Sequence, residues 1–176
     1  VTERDPATLR QLKKKTETRR FFKELAGQTP FKRSLKFLLQ DWEDGYNVGS
    51  LFRIADACGA EEVVCMGRTP VPPNPQISVT SLGNHRRIRW RQTVRHDDAI
   101  RDLREEGCQI VAVEVAEGAV SFREFEYAGK VCLVLGSEKR GVYPNVLSQC
   151  DGAVIIPMAG KRTFAQRGGR WSYRRL

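Results

Sequence analysis

Apolar positions change their spacing along this chain, and each change marks an element. Over residues 10–25 they are sparse, with Leu12, Phe21, Phe22 and Leu25 set among good helix formers, which predicts a polar helix closed by Gly27 and Pro30. From residue 34 onward the apolar runs become short, dense and bounded by turn formers. Residues 34–40, 62–66, 109–115, 130–135 and 153–156 read as strands, with a further one at 88–92. Helices are predicted at 48–58, ended by Gly59, at 97–106, ended by Gly107, and in a short stretch at 144–148. Residues 69–75 carry four of the eight prolines and read as an irregular loop. Strands apolar on both faces that alternate with helices predict an α/β domain, a mostly parallel sheet with helices on both faces. The organisation expected is a basic helical extension over residues 1–33, one domain over 34–160, and a tail over 161–176.

A length of 176 residues with 40% apolar content supports one real core. No run of 18 apolar residues occurs and residues 1–20 are charged, so neither a membrane span nor a secretory leader is expected, and the predicted setting is cytoplasmic. Five widely spaced cysteines without a C-x-x-C pair fit small buried hydrophobes in a reducing compartment. With only His85 and His96 beside them, usable zinc spacing is lacking and no metal is expected.

The formal net charge of +9 points to a polyanionic partner. Its distribution is uneven. The last 16 residues hold Lys161, Arg162, Arg167, Arg170, Arg174 and Arg175 without an acid, and the remainder has 24 basic against 21 acidic residues, or +3. A second cluster contains Arg10, Lys13, Lys14, Lys15, Arg19, Arg20 and Lys23. A third runs through His85, Arg86, Arg87, Arg89, Arg91 and Arg95 around Trp90. Each cluster is read either as a solvated face or as an RNA contact, with Lys13, Lys14, Arg19, Arg86, Arg87 and Arg89 as the RNA candidates. Trp90 is expected to fill the core or to stack on a base.

In a parallel sheet, ligands sit beyond the carboxyl ends of the strands. After the first strand, Asn47 can cap the following helix and Gly49 permits close approach of another chain. Arg53 lies one to two turns in, among Leu51, Phe52, Ile54 and Ala55, which are expected to face packing; its guanidinium is a surface ion pair or a placed anion reader. The strand ending at Leu135 runs into Gly136-Ser137-Glu138-Lys139-Arg140-Gly141. That loop is neither a Walker A sequence nor G-x-G-x-x-G, so nucleoside triphosphate and dinucleotide readings fall. The segment Ile155-Ile156-Pro157-Met158 ends a buried strand at a proline that cannot continue the ladder, leaving backbone groups that could hold an adenine edge.

Together these stretches resemble the SpoU (TrmH-like) group of SPOUT RNA 2′-O-ribose methyltransferases. The first motif of that group is similar to Asn-x-Gly-(Ser/Ala)-x-x-Arg-x-Ala-x-x-x-Gly, matched from Asn47 to Gly59. The second resembles Leu-Val-x-Gly-x-Glu-x-x-Gly, matched from Leu133 to Gly141, and the third begins Ile-Pro-Met, matched from Ile156 to Met158. The resemblance implies a SPOUT fold whose C-terminal segment threads a trefoil knot, against the usual rule. It implies S-adenosylmethionine bound near Val113, Leu135, Gly136, Gly141, Ile156 and Met158, and a homodimer with RNA, tRNA or rRNA, as substrate. Carried over by position, Arg53 is the catalytic candidate, Asn47 its support, and Glu138 the acid that orders the site. The alternative is a non-catalytic RNA-binding protein that keeps the fold.

One stretch departs from the family. After Ile-Pro-Met the group has a segment similar to Ser-Leu-Asn-Val-(Ser/Ala)-Val-Ala opening its last helix. Here residues 163–175 contain two adjacent glycines, no helical apolar stripe and several arginines, and they read as a polar, weakly structured end. Read one base onward, codons for residues 164–174 can encode Ser-Leu-Asn-Val-Ala-Val-Ala-Gly-Ala-Ile. A reading frame lost near Thr163 and Phe164 is therefore expected.

Overall fold

A computed structural model describes residues 13–28, 34–157, 162–167 and 170–175. The chain divides into two compact units, residues 1–32 and 33–176. In the first, helix α1 (Lys15–Gln28) follows exposed Lys13 and Lys14 and presents Arg19 to solvent. Phe21 and Phe22 on α1 meet edge to face at 5.9 Å and remain exposed. The predicted start at residue 10 lies outside the described residues.

In the second unit, seven strands form one all-parallel sheet: β1 (Ser34–Gln40), β2 (Glu62–Met66), β3 (Arg89–Thr93), β4 (Gln109–Val113), β5 (Val120–Ser121), β6 (Lys130–Leu135) and β7 (Gly152–Ile155). The order is β3-β2-β1-β6-β4-β7-β5. One row of register crosses the whole sheet, through Gln92, Cys65, Leu39, Leu135, Val113, Val154 and Val120. The chain leaves β1 toward β2 on one side and later returns to β4 on the other. The carboxyl ends of β1, β6 and β4 therefore surround a topological switch point.

Both faces are covered. On one, Leu38, Val64, Ile110 and Val134 pack against Ile100 and Leu103 of α4 (His96–Glu105) and Val146 of α5 (Pro144–Leu147). On the other, Phe37, Leu39, Val63 and Cys65 pack against Val48, Leu51, Phe52 and Ala55 of α2 (Gly45–Cys58) and Ile77 of α3 (Pro75–Ser81). Helix α3 stands just where the proline-rich loop was expected to end. Asn74 caps it by accepting from the Gln76 N–H, and Pro75 occupies its first turn, where a missing N–H costs nothing.

Several expectations need correction. Asn47 does not cap α2. The helix starts three residues earlier, where the Asp44 carboxylate accepts from the Tyr46 N–H, and Asn47 lies inside the first turn. Ile54 is not packed but half exposed, because α3 covers the opposite side of α2. Gly49 admits α3 of the same chain: a Cβ there would lie 2.6 Å from the Ile77 carbonyl oxygen. Trp90 is exposed rather than core, since β3 is the outermost strand on its side. The tail is not unstructured, for β8 (Arg162–Arg167) and β9 (Arg170–Arg175) pair antiparallel, from Arg167 with Arg170 to Arg162 with Arg175. The overlooked signal was two glycines between two runs of equal length, a short hairpin spacing.

At the amino end of the sheet, Lys36 pairs with Glu62 (3.0 Å) and Glu106, and Arg91 bonds Glu106 (2.7 Å) and approaches Glu62 (3.3 Å). Glu106 directly follows α4, so this four-residue network joins β1, β2 and β3 to the end of that helix.

Candidate active site

The carboxyl edge of the sheet is assembled from loops that bond to one another. Gln40, buried at the end of β1, donates from Nε2 to the Gly141 carbonyl (3.4 Å) and accepts at Oε1 from the Tyr143 N–H (3.0 Å). Trp42 donates its indole N–H to the Leu135 carbonyl at 3.1 Å. Asn47 donates from Nδ2 to Glu138 Oε1 at 3.0 Å, and Lys139 pairs with Glu43. The hydrogen bond and charge of Lys139 hold the Glu43 carboxyl below its ordinary range. Two of the three catalytic candidates, Asn47 and Glu138, are thus in direct contact.

Gly136 to Gly141 closes on itself, with reciprocal bonds between Ser137 and Gly141 (3.2 and 2.9 Å). A Cβ on Gly136 would sit 2.0 Å from the Gly141 carbonyl carbon, and Gly141 has φ 65°, so glycine is required at both positions. Glu114 locks this loop from the neighbouring strand. Its Oε2 accepts from the Val142 N–H and its Oε1 from the Val115 N–H, each at 2.8 Å. The sequence reading missed Glu114 because it extended β4 to residue 115. The strand ends at Val113, and Glu114 is the first residue of the loop. A single carboxylate closing a run of β-branched residues was the available signal.

Val113, Glu114, Val115, Val154, Ile155 and Ile156 line a depression of about 150 Å³ beside this loop. By register, Leu135 opposes Val113 and Val113 opposes Val154, so Gly136 and Ile156 emerge two strands apart, about 10 Å. Val113, Leu135, Gly136, Gly141 and Ile156 therefore share one end of the sheet. Met158 lies outside the described residues.

Arg53 stands apart from this cluster. It is exposed on α2, lining an open groove of about 370 Å³ with Ser50, Ile54 and Ala57. No hydrogen bond or ion pair engages its guanidinium among the described residues. Of the two readings open from sequence, the surface ion pair is therefore absent there.

The basic segment around β3 divides. Arg86 and Arg89 are exposed, and Arg87 reaches Asp56 at 3.8 Å. Arg91 belongs to the amino-end network, Arg95 pairs with Asp98 at 3.8 Å, and His85 is buried with Nδ1 2.6 Å from Ser81 Oγ. Arg89 lies about 20 Å from Gly136, three strands across and four residues back.

Comparison with known proteins places this sheet in a family. The profile of the SpoU rRNA Methylase family matches residues 34–163. The chain belongs to the SpoU rRNA methylase family. It is 33% identical over 118 residues to tRNA (guanosine(18)-2′-O)-methyltransferase of Escherichia coli, spanning 65% of this chain and 49% of that protein. Against the enzyme of the same name from Thermus thermophilus it is 32% identical over 126 residues, 72% of this chain and 64% of that protein. It thus spans half to two thirds of these relatives. Among solved structures, the AdoMet-bound rRNA methyltransferase from Sinorhizobium meliloti superposes with a TM-score of 0.68 at 26% identity, over 76% of this chain and 53% of that one. The seven-stranded parallel sheet is the SpoU sheet.

Proposed function

We propose that this SpoU chain is an S-adenosylmethionine-dependent methyltransferase acting on a ribose 2′-hydroxyl of tRNA or rRNA, as a homodimer with a C-terminal knot. The observation that carries the reading is the exposed Arg53 guanidinium, without a partner among the described residues, on the same helix whose Asn47 is tied to Glu138.

The residues at the carboxyl edge suit the cofactor. Exposed Val115 and Ile156 offer apolar contact to an adenine ring, and the Glu114 carboxylate suits a cationic ligand. A depression of about 150 Å³ is smaller than a whole cofactor of that size needs. Met158, outside the described residues, is a further proposed cofactor contact. When bound, the cofactor supplies an electrophilic methyl group on a sulfonium.

The chain's own residues supply positioning and charge. Trp42, Gln40 and Glu114 fix the two loops that face the depression, so the acceptor meets a rigid wall. Arg53 clamps an RNA phosphate next to the acceptor ribose and favours the developing alkoxide. An arginine stays protonated in proteins, so it orients rather than removes the proton. Arg53 lies six residues beyond Asn47, about 9 Å along α2 and about one and two thirds turns past it, some 120° around the helix. It therefore faces away from the loop that Asn47 touches, which favours a site completed by the second protomer. Exposed Ile54 and Ala57 beside it suit that contact. Phosphates farther along the RNA would meet Arg86, Arg87 and Arg89, and Lys13, Lys14 and Arg19.

Mapping ribose methylation by mass spectrometry in RNA from a deletion strain tests the reading. One 2′-O-methyl mark that disappears and returns with the gene supports it; an unchanged methylation map contradicts it.

A second reading is favoured by one observation. The family match stops at Thr163, where the resemblance to the third motif breaks off. If the tail is made as written, the chain is an RNA binder that retains the sheet without the last wall of the pocket. If instead the native frame was lost there, the gene will read Ser-Leu-Asn one base onward. Sequencing the gene decides between them.

A further inference from the structure

Glu114 has one feature that loop fixation does not require. A backbone carbonyl or a neutral side chain would serve two N–H donors, yet the chain places a carboxylate there, on a half-buried residue that lines the depression at β4 and β7. The two bonds orient the group and leave its charge uncompensated. Neither Val115 nor Val142 brings a side-chain cation, and no Lys, Arg or His side chain bonds Glu114 among the described residues. The other residues lining the depression, Val113, Val115, Val154, Ile155 and Ile156, are all apolar. A fixed negative charge beside a wall of low polarity acts on a neighbouring ligand more strongly than it would in water.

Resting on the cofactor reading above, we propose that Glu114 is a charge selector. It makes the pocket prefer the sulfonium form of the methyl donor over the neutral thioether left after transfer, and so promotes release of the demethylated product. Donor and product differ by one methyl group and one positive charge at sulfur. Apolar contacts treat the two almost alike, whereas a fixed carboxylate separates them. The reaction itself is balanced in the ordinary way. The ribose oxygen forms its bond to the methyl carbon, the carbon–sulfur bond breaks, its electron pair stays on sulfur, and the hydroxyl proton passes to solvent. Glu114 takes no part in those bonds.

The test is calorimetric titration of the full chain with S-adenosylmethionine and, separately, with S-adenosylhomocysteine, for the unaltered protein, Glu114→Gln and Glu114→Asp. Loop fixation alone predicts that Glu114→Gln weakens both ligands by the same factor. The selector predicts that the ratio of the two affinities shifts by about three- to tenfold toward the thioether in Glu114→Gln. In Glu114→Asp, where the charge is kept but the reach is shortened, both affinities fall and the ratio stays. A ratio unchanged in Glu114→Gln, with binding still measurable, overturns the selector and leaves the cofactor reading standing. Absence of heat with either ligand in the unaltered chain overturns the cofactor reading and the selector with it. Far-ultraviolet circular dichroism of each variant, matching that of the parent, establishes that the titrated protein is folded.

Discussion

The two ends of the sheet handle charge in opposite ways. At the amino end, Lys36, Glu62, Arg91 and Glu106 pair with one another, and the buried Nε and Nη2 of Arg91 are left without a hydrogen-bond partner among the described residues. At the carboxyl edge the acids are engaged by backbone N–H groups, by Asn47 or by Lys139, while Arg53 on the flanking helix has no partner among the described residues. Both ends contain similar residue types on neighbouring strands. What separates scaffold from site is whether a charge finds its partner within the fold.

That contrast can be broken first at Arg53. Arg53→Ala should leave the thermal midpoint within a degree or two of the parent yet reduce methyl transfer on the order of 100-fold or more, as expected for loss of a group that meets charge developing in the transition state. Near-normal turnover would remove Arg53 from its role. The opposite pattern is expected for Lys36→Met, which leaves Glu62 and Glu106 to share Arg91 alone and should cost about 1–2 kcal/mol in urea unfolding, with turnover of the folded protein unchanged.

The amino-end network also fixes a pH dependence. Burial opposes ionisation of Glu106, but its hydrogen bonds from Lys36 and Arg91 outweigh that and hold its carboxyl below the ordinary range. A depressed folded value means the stabilisation is present above about pH 4.3 and is lost as pH falls through the folded value. For Lys36, burial is likewise outweighed by bonds to Glu106 and Glu62, which raise it, so its share is lost only above its ordinary alkaline range. Urea midpoints measured from pH 7 to pH 3 should therefore fall in acid, and fall less steeply in Lys36→Met. A smaller effect is expected from Asn47→Ala, which removes one exposed bond to Glu138: about 0.5–1 kcal/mol of stability and a several-fold loss of methyl transfer.

Much of this organisation was legible in the sequence, because buried parallel strands write themselves as short apolar runs. The runs at 34–40, 62–66 and 130–135 coincide with β1, β2 and β6. Pairing in space was not legible. Nothing in the composition distinguishes Arg91, absorbed by Glu62 and Glu106, from Arg89, which is exposed. Helix α3 is hidden in the sequence because its cap, Asn74-Pro75, belongs to the proline-rich run, and β5 because two residues are too few for a period. At the site, motif spacing pointed to Asn47, Arg53 and Glu138, but Glu114 and Gln40 act through contacts made far along the chain, which only the folded sheet displays.

The cysteines make the mildest prediction. Burial pushes the Cys65 thiol up to about 12 and that of Cys150 to about 11, and raises Cys132 well above its usual value. Half-buried Cys58 should be the first to react with a thiol reagent in the native protein, with Cys65 and Cys132 silent until unfolding.

Hydrogen–deuterium exchange of the full chain with and without S-adenosylmethionine tests the site most directly. Slower exchange confined to residues 113–115, 136–142 and 154–156, with β2 and β3 unchanged, is the outcome predicted. Protection elsewhere in the sheet, or none at saturating cofactor, would contradict a methyl-donor pocket at the carboxyl edge.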